Sequence, residues 1–231
     1  PCPAALSRPV ADFRRPFSVD DLNQRLIACA RCPRLVAWRE KVASERRRMY
    51  AADTYWGRPV PNFGDPAADR LIVGLAPAAH GGNRTGRIFT GDRSGDWLFR
   101  ALYDAGACNQ PESIGPADGL ALQGVMITAI AHCAPPLNKL AREEIANCRP
   151  YLEELVGSRS WRAYLCLGSL AWNELLRTLG ERAPIKFGHG VEARLESGTF
   201  LFGSYHPSQQ NTFTGKLTEP MLDAVWGAAK G

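Results

Sequence analysis

Apolar positions along this chain follow two different periods, and the alternation of these periods predicts strands and helices in turn. Short runs that are apolar throughout are typical of buried strands, whereas apolar residues spaced three and four apart are typical of amphipathic helices. The predicted strands are Leu71–Leu75, Val125–Ala131, Ala163–Leu167 and Leu201–Ser204. The predicted helices are one that follows Ser18, and then Leu35–Arg48, Asp92–Ala105, Arg142–Val156, Ser169–Leu179 and Thr218–Ala229. The alternation favours an α/β fold, with a parallel sheet and helices on both of its faces.

Single residues predict where several of these elements begin and end. Gly180 is expected to end the helix before it, and Ser197-Gly198 is expected to form the turn of a hairpin. Pro150 lies within a helical stretch and predicts a kink or a break there, because proline lacks the backbone N–H that the helix needs.

Length and composition indicate one globular domain without a membrane span. The chain has 231 residues, 45% of them hydrophobic and 22% charged. We expect residues 1–17, which are rich in proline and small side chains, to form a flexible tail, and residues 18–231 to form a single domain. Polar residues and a Pro135-Pro136 pair interrupt the longest segment without charge, Gly119 to Asn138. We therefore expect a cytoplasmic protein, whose formal charge of +5 is compatible with a polyanionic partner.

A loop of small residues follows the first strand of the predicted sheet. It reads "GLAPAAHGGNRTGRIFTGD", from Gly74 to Asp92, and its glycines allow a ligand to approach the backbone closely. The carboxyl ends of parallel strands share one edge of a sheet, so this loop should meet the loops His132–Asn138 and Tyr205–Gly215. The loop matches neither G-x-x-x-x-G-K-[ST] nor G-x-G-x-x-G, which disfavours an enzyme that handles free nucleotides.

Four of the seven cysteines have a spacing that suits a metal site. Cys29 and Cys32 form a C-x-x-C pair, and Cys133 and Cys148 follow later in the chain. Zinc and a [4Fe–4S] cluster both accept four thiolates, and the spacing does not choose between them. Alternatively, the two later cysteines are simply buried small hydrophobic residues, as we expect for the remaining cysteines of the globular part.

Four segments together resemble the motifs of family 5 (type b) uracil-DNA glycosylases. They are "CARCPRLVAWRE", "GLAPAAHGGNRTGRIFTGD", "HCAPPLNK" and "SYHPSQQNTFTGKLT", and the resemblance extends from Leu22 to the last helix. It implies a three-layer fold with a central four-stranded parallel sheet. It also implies that the protein acts as a monomer on DNA of the nucleoid. It also implies a [4Fe–4S] cluster held by Cys29, Cys32, Cys133 and Cys148. The family excises uracil from DNA, and several members also excise hypoxanthine, xanthine or other damaged bases.

The resemblance also implies roles for individual residues. His206 would donate a hydrogen bond to a uracil oxygen, and Asn138 would contact the base. Ala76 lies in a segment where other uracil-DNA glycosylase families carry a polar residue that positions water, which alanine cannot do. Asp92 would substitute for that residue, either by acting on water or by stabilising a sugar cation. Asp92 also lies where a helix is predicted to begin, so its alternative role is that of an N-cap.

The remaining predicted site residues contact the base or the DNA strand. Phe89 is expected to stack on a flipped base, and His80 to line the same pocket. The loop Gln209–Lys216 is expected to enter the minor groove and to fill the gap that the base leaves. The predicted DNA contacts are Asn83, Arg84, Arg87, Ser208, Gln209, Gln210 and Asn211. The competing hypothesis is a metal-stabilised module that binds DNA without catalysis.

Overall fold

A six-stranded mixed sheet forms the centre of the protein, as seen in a computed structural model that describes residues 17–182 and 184–230. The strands are β1 (Phe63–Gly64), β2 (Arg70–Gly74), β3 (Val125–Ala129), β4 (Ala163–Leu167), β5 (Glu192–Arg194) and β6 (Phe200–Ser204). Their order is β1-β3-β2-β4-β6-β5. The four central strands are parallel, as predicted, and short antiparallel strands flank them. The edge strand β5 belongs to the predicted hairpin, whereas β1 was not predicted.

Eight α-helices are present among the described residues. They are α1 (Val19–Ile27), α2 (Pro33–Glu45), α3 (Gly82–Thr85), α4 (Arg93–Asp104), α5 (Arg142–Gly157), α6 (Ser169–Leu179), α7 (Gln209–Phe213) and α8 (Glu219–Lys230). Two 3₁₀ turns, Arg48–Tyr50 and Pro136–Asn138, complete the helical structure. Gly180 ends α6 in a left-handed conformation, as predicted. The predicted tail, residues 1–17, lies outside the described residues except for Phe17.

The core is divided between the two faces of the sheet. Helices α4 and α8 pack together over one face, and α1, α5 and α6 pack over the other. The central strand β3 is buried along its whole length, which explains why its sequence is apolar without alternation. The three layers agree with the predicted architecture, and no helix of the described part is long and apolar enough to cross a membrane.

Of the kink or break predicted at Pro150, the break is absent from the structure. Helix α5 runs without interruption from Arg142 to Gly157, with Pro150 inside it. The residues that follow the proline include Tyr151, Leu152 and Leu155, all buried in the core beside the sheet. Their burial favours continuation of the helix beyond the proline, and so offsets the hydrogen bond that the proline cannot make.

The sheet brings three loops to one edge. Strands β2 and β3 end level, with Gly74 opposite Ala129, and Leu167 lies opposite Ser204 at the ends of β4 and β6. The loops that follow β2, β3 and β6 therefore start side by side. This is the edge where the sequence predicts a ligand site.

Candidate active site

The three loops enclose one cleft of about 990 Å³. It is large enough for a nucleotide, because ligand pockets commonly enclose roughly 300–1,000 Å³. Most of the predicted site residues line it: Ala76, His80, Arg84, Phe89, Asp92, Asn138, His206, Ser208, Gln209 and Gln210. Residues that are far apart in the sequence therefore face a common space.

Asp92 is both an N-cap and a cleft residue. Its Oδ1 accepts hydrogen bonds from the backbone N–H groups of Ser94 (2.9 Å) and Gly95 (3.3 Å) at the start of α4. Its Oδ2 points at Gly81, where an added Cβ would lie only 2.1 Å from that oxygen. Burial raises the pKa of the carboxyl group, and the two backbone hydrogen bonds oppose this increase. The structure thus holds a carboxylate at the cleft wall, and Gly81 makes the room for it.

Phe89 and His206 lie beside each other in the cleft. Their ring centroids are 5.8 Å apart with an interplanar angle of 30°. Phe89 has a φ of 52°, a conformation that costs a bulky residue energy, and such strain is common at functional sites. An added Cβ at Gly74 would lie 2.9 Å from the Phe89 ring, so the end of β2 must be glycine for the ring to occupy this position.

Burial lowers the pKa of His206 to about 4. The imidazole is therefore neutral near pH 7, where it carries one N–H donor and one acceptor nitrogen. The Asn211 side chain donates a 2.8 Å hydrogen bond to the His206 carbonyl oxygen, which fixes the loop that carries the histidine. Asn211 was predicted to contact DNA, but its Nδ2 group is already used within this loop.

Asn138 reaches the cleft from a strained turn. Leu137 and Asn138 have φ values of 53° and 56°, so two successive residues adopt the left-handed conformation. Each such residue costs roughly 1–2 kcal/mol, with asparagine among the types that adopt it most readily. The Asn138 side chain is exposed at the cleft, and its amide offers both a donor and an acceptor.

His80 and Arg84 form a second wall of the cleft. The His80 Nδ1 atom lies 3.0 Å from the Tyr55 hydroxyl oxygen, and burial lowers the pKa of this histidine. Arg84 forms an ion pair with Asp53 at 2.7 Å and lies over the Tyr50 ring at 4.0 Å. Arg84 also donates to the His80 carbonyl oxygen, so much of its hydrogen-bonding capacity is spent within the protein.

Two of the residues predicted to contact DNA, Asn83 and Arg87, are buried in this structure. Asn83 is fully buried, and its Nδ2 donates to the Arg39 carbonyl oxygen. Arg87 is 4% exposed and forms an ion pair with Asp118, whose carboxyl pKa is held well below its usual range mainly by that guanidinium and by backbone N–H groups. Arg87 also donates to the Ser113 hydroxyl at 2.8 Å. Both side chains stabilise the loop and present no surface to a DNA strand.

The predicted minor-groove loop is partly helical. Ser208 precedes α7, and Gln209 and Gln210 are exposed in its first turn. Phe213 ends this short helix with 68% of its surface exposed, beneath the Arg93 guanidinium at 4.7 Å. An exposed aromatic ring beside the cleft is the kind of side chain that can occupy a vacated position in a base stack.

Several residues that line the cleft were not among the predicted site residues. Tyr50 comes from the 3₁₀ turn and Arg47 directly precedes this turn. Arg93 and Asp96 come from α4, and Ser113 and Ile114 from the segment before β3. The run "ERRRMY" signals the first pair, because it clusters positive charge. No sequence signal marks Ser113 and Ile114. Their segment reaches the cleft through the ion pair between Arg87 and Asp118, a long-range contact that no local pattern predicts.

All four cysteines of the predicted metal site line a second cavity, beside the cleft. Cys32 is the N-cap of α2, Cys133 follows β3, and Cys148 lies in α5. Within the described residues, no group of three or more His, Cys, Asp or Glu side chains is arranged to hold a single metal ion. Cys108 and Cys166 are buried elsewhere, as predicted.

The donor set of this cavity fits a thiolate-bound cluster. Four sulfur atoms from three separate segments surround it, and the Arg39 guanidinium donates to the Cys133 Sγ at 3.0 Å. The Asn147 Nδ2 donates to the Cys32 Sγ at 3.6 Å. Hydrogen bonds aimed at sulfur are the usual surroundings of iron–sulfur ligands.

Comparison with known proteins places the chain in a family. A family model described as the uracil DNA glycosylase superfamily matches residues 61–230. A type-5 uracil-DNA glycosylase of Mycobacterium leprae is 52% identical over 92% of this chain and 95% of its own length. A type-5 uracil-DNA glycosylase of Thermus thermophilus is 49% identical over 90% of this chain and 94% of its own length. The cleft at the carboxyl edge of the sheet and these matches lead to one conclusion: the chain belongs to the uracil-DNA glycosylase superfamily, among its type-5 members.

Proposed function

We propose that this protein is a monofunctional DNA glycosylase that hydrolyses the bond between uracil and deoxyribose in DNA, leaving an abasic site for base excision repair. The observation that carries the proposal is the convergence of Phe89, Asp92, Asn138 and His206 on one cleft. Relatives named type-5 uracil-DNA glycosylases match nearly the whole chain, which supports the same reaction here.

The cleft suits a base that has left the helical stack. A glycosylase must extrude its target nucleotide, because the reacting bond is inaccessible within a duplex. The Phe89 ring offers an apolar face on which a flipped base can stack, and the Asn138 amide can donate and accept along the Watson–Crick edge of the base. Phe213 and the exposed glutamines of α7 would fill the space that the base vacates.

Bond cleavage separates charge, and two residues of the cleft match its two ends. As the glycosidic bond breaks, negative charge grows on the base and positive charge on the sugar. His206, neutral because its pKa is about 4, can donate its N–H to a base oxygen without the cost of a buried cation. The Asp92 carboxylate can stabilise the sugar cation or take a proton from the attacking water. Water then bonds to the sugar carbon, and the base leaves with a proton.

Several finer assignments belong to the same proposal. Hypoxanthine, xanthine and other damaged bases are further substrates, since an amide and a neutral imidazole can each donate to the oxygens of more than one base. Exposed Arg47 and Arg93 at the cleft would contact backbone phosphates. We also propose that the protein acts as a monomer on DNA of the nucleoid.

A [4Fe–4S] cluster held by Cys29, Cys32, Cys133 and Cys148 is also part of the proposal. The four cysteines line one cavity, and their surroundings supply donors to sulfur. When bound, the cluster would act structurally, as a crosslink between the start of α2, the loop after β3 and α5. The catalytic steps above use none of these residues.

The decisive experiment measures base excision on end-labelled duplexes. Each duplex carries one uracil or one hypoxanthine opposite a normal base, and alkali then cleaves at abasic sites. We expect cleavage by the wild type and its loss in His206→Ala, with Ser197→Ala in the distant hairpin turn as the matched control. A folded wild-type protein that binds these duplexes without cleaving any of them would contradict the proposal and favour the non-catalytic binding module.

The cofactor is tested separately by measuring iron and acid-labile sulfide in protein purified without oxygen. We expect both elements, and their loss in Cys148→Ser but not in Cys166→Ser, which alters a buried cysteine outside the cavity. Protein that contains zinc without sulfide would overturn the cluster and leave the glycosylase proposal intact.

A further inference from the structure

One buried charge in the protein has no charged partner among the described residues. Arg39 is 5% exposed, although an arginine is rarely buried without a carboxylate beside it. No ion pair involves Arg39 within residues 17–182 and 184–230. Its Nε atom is buried without a hydrogen-bond partner. Burial of a charged guanidinium costs desolvation free energy unless negative charge lies close to it.

The two terminal nitrogens of Arg39 face the cysteine cavity. Nη1 donates to the Cys133 Sγ at 3.0 Å, and both Nη1 and Nη2 lie 3.4 Å from the Cys29 carbonyl oxygen. Arg39 is seven residues after Cys32, close to two helical turns, so both residues lie on the same side of α2. The helix thus presents a thiol and a guanidinium to the same cavity.

The nearest carboxylate in the cavity wall is already paired. Glu144 lines the cavity, but it accepts from the Arg34 Nε and Nη2 atoms at 2.8 and 2.7 Å and from the Ala141 backbone N–H. The Arg34 guanidinium is half exposed, whereas Arg39 is enclosed. The two arginines of one helix therefore have different partners, a carboxylate for one and sulfur for the other.

We propose that Arg39 balances the negative charge of the thiolate-held cluster and raises its reduction potential. This inference rests on the proposed cofactor. A [4Fe–4S]²⁺ core with four thiolates has a net charge of about −2, and its potential depends on hydrogen bonds and charges near the sulfurs. A buried cation that donates to one ligand sulfur favours the reduced cluster, which carries one more negative charge. Arg39 is a positioning residue, because it acts through Cys133.

Arg39 also connects the cysteine cavity to the catalytic loop. Its backbone carbonyl oxygen accepts from the Asn83 Nδ2 at 3.3 Å, and Asn83 lies in α3 within the glycine-rich loop. The side chain faces the cysteines and the backbone holds the loop. A substitution of the side chain keeps that backbone acceptor, so the charge can be tested without removing this link.

The test compares Arg39→Gln and Arg39→Lys with the wild type. Lys41→Gln, which removes an exposed positive charge from the same helix, is the matched control. Iron and sulfide are measured first, because their absence from the wild type would refute the cofactor and, with it, the role proposed for Arg39. A cluster that is present with an unchanged potential in the variants would refute the role of Arg39 alone. The reduction potential is then measured by redox titration with detection of the reduced cluster by electron paramagnetic resonance. We expect Arg39→Gln to lower the equilibrium constant for one-electron reduction of the cluster roughly tenfold. This corresponds to a shift of the reduction potential by about 59 mV to lower values.

The Lys variant should shift the potential less than the Gln variant, since it keeps the charge. The exposed Lys41→Gln control should leave the potential unchanged. If Arg39→Gln loses the cluster, retention of the cluster by Arg39→Lys would still support the requirement for charge. An unchanged potential in Arg39→Gln, or loss of the cluster from both Arg39 variants, would overturn the proposal.

Discussion

The Asp92→Asn variant separates the two roles of Asp92, which is both the N-cap of α4 and a carboxylate in the cleft. Asparagine retains an oxygen that can accept from the Ser94 and Gly95 backbone N–H groups, now 2.9 and 3.3 Å from Oδ1. Asparagine and aspartate are about equally good N-caps. The substitution therefore keeps the cap and removes the negative charge that faces the cleft beside Gly81.

The expected magnitudes differ for activity and stability. A positioned carboxylate that acts on water is worth about 10²- to 10⁴-fold in rate, or roughly 2.7–5.4 kcal/mol of activation free energy. Stability should stay level or increase, because an amide avoids the desolvation that raises the pKa of Asp92. In contrast, Asp92→Ala loses the cap as well, which costs about 1 kcal/mol and lowers Tm by about 2–4 °C in a chain of this size.

The pH dependence gives a further test of the same group. The pKa of Asp92 is higher in the folded than in the unfolded protein, so the folded state binds more protons between the ordinary value of 3.8 and the raised one. The contribution of Asp92 to the free energy of unfolding therefore decreases as pH rises through that window. Asp92→Asn should remove this component, and the acidic limb of the wild-type rate profile should lie above the ordinary range of an aspartate.

The assay is single-turnover excision of uracil from a duplex, with thermal unfolding of the same preparations. Loss of at least a hundredfold in the rate constant by Asp92→Asn, at an unchanged or higher Tm, would agree with the reasoning. Full excision by Asp92→Asn would refute the carboxylate role and leave Asp92 as an N-cap alone. A parallel loss of rate and Tm in Asp92→Asn would equally refute it, because the loss would then follow from damage to α4.

Three other predictions follow from the described contacts. Arg87→Gln breaks the buried ion pair with Asp118 and should cost about 3–5 kcal/mol of unfolding free energy, measured by denaturant titration; a stable variant with weaker DNA binding would contradict the structural role. Arg47→Gln, at an exposed position of the cleft wall, should leave stability unchanged but reduce the slope of log K against log salt by about 0.9, and an unchanged slope would argue against a phosphate contact. For His206→Gln, stability should depend less on pH between about 6.5 and 4. His206 and His132 both have pKa values lowered to about 4, so the wild type loses stability as pH falls through that window. Thermal unfolding against pH measures this dependence, and a profile as steep as that of the wild type would contradict the lowered pKa of His206.

The sequence predicted the architecture because local patterns determine much of it. Apolar runs located the four parallel strands, and Gly180 marked the end of α6. The order of the motifs placed Asp92, Asn138 and His206 at one edge of the sheet, since parallel strands bring their carboxyl ends together. Pro150 does not break α5, because the core contacts of its neighbours outweigh the local helix-breaking signal.

The tertiary structure decided what individual polar residues do. Asn83, Arg84 and Arg87 are alike in sequence terms, all polar and all in the glycine-rich loop. Only packing distinguishes them: Asn83 and Arg87 are buried with internal partners, whereas Arg84 remains at the cleft wall. The guanidinium of Arg39, a residue of α2, lies against the thiol of Cys133, 94 residues away along the chain. The partners of these buried polar side chains come from segments that are distant in the sequence. Hydrophobic periodicity therefore locates the helices and strands, whereas the pairing of buried charges depends on how those helices and strands pack.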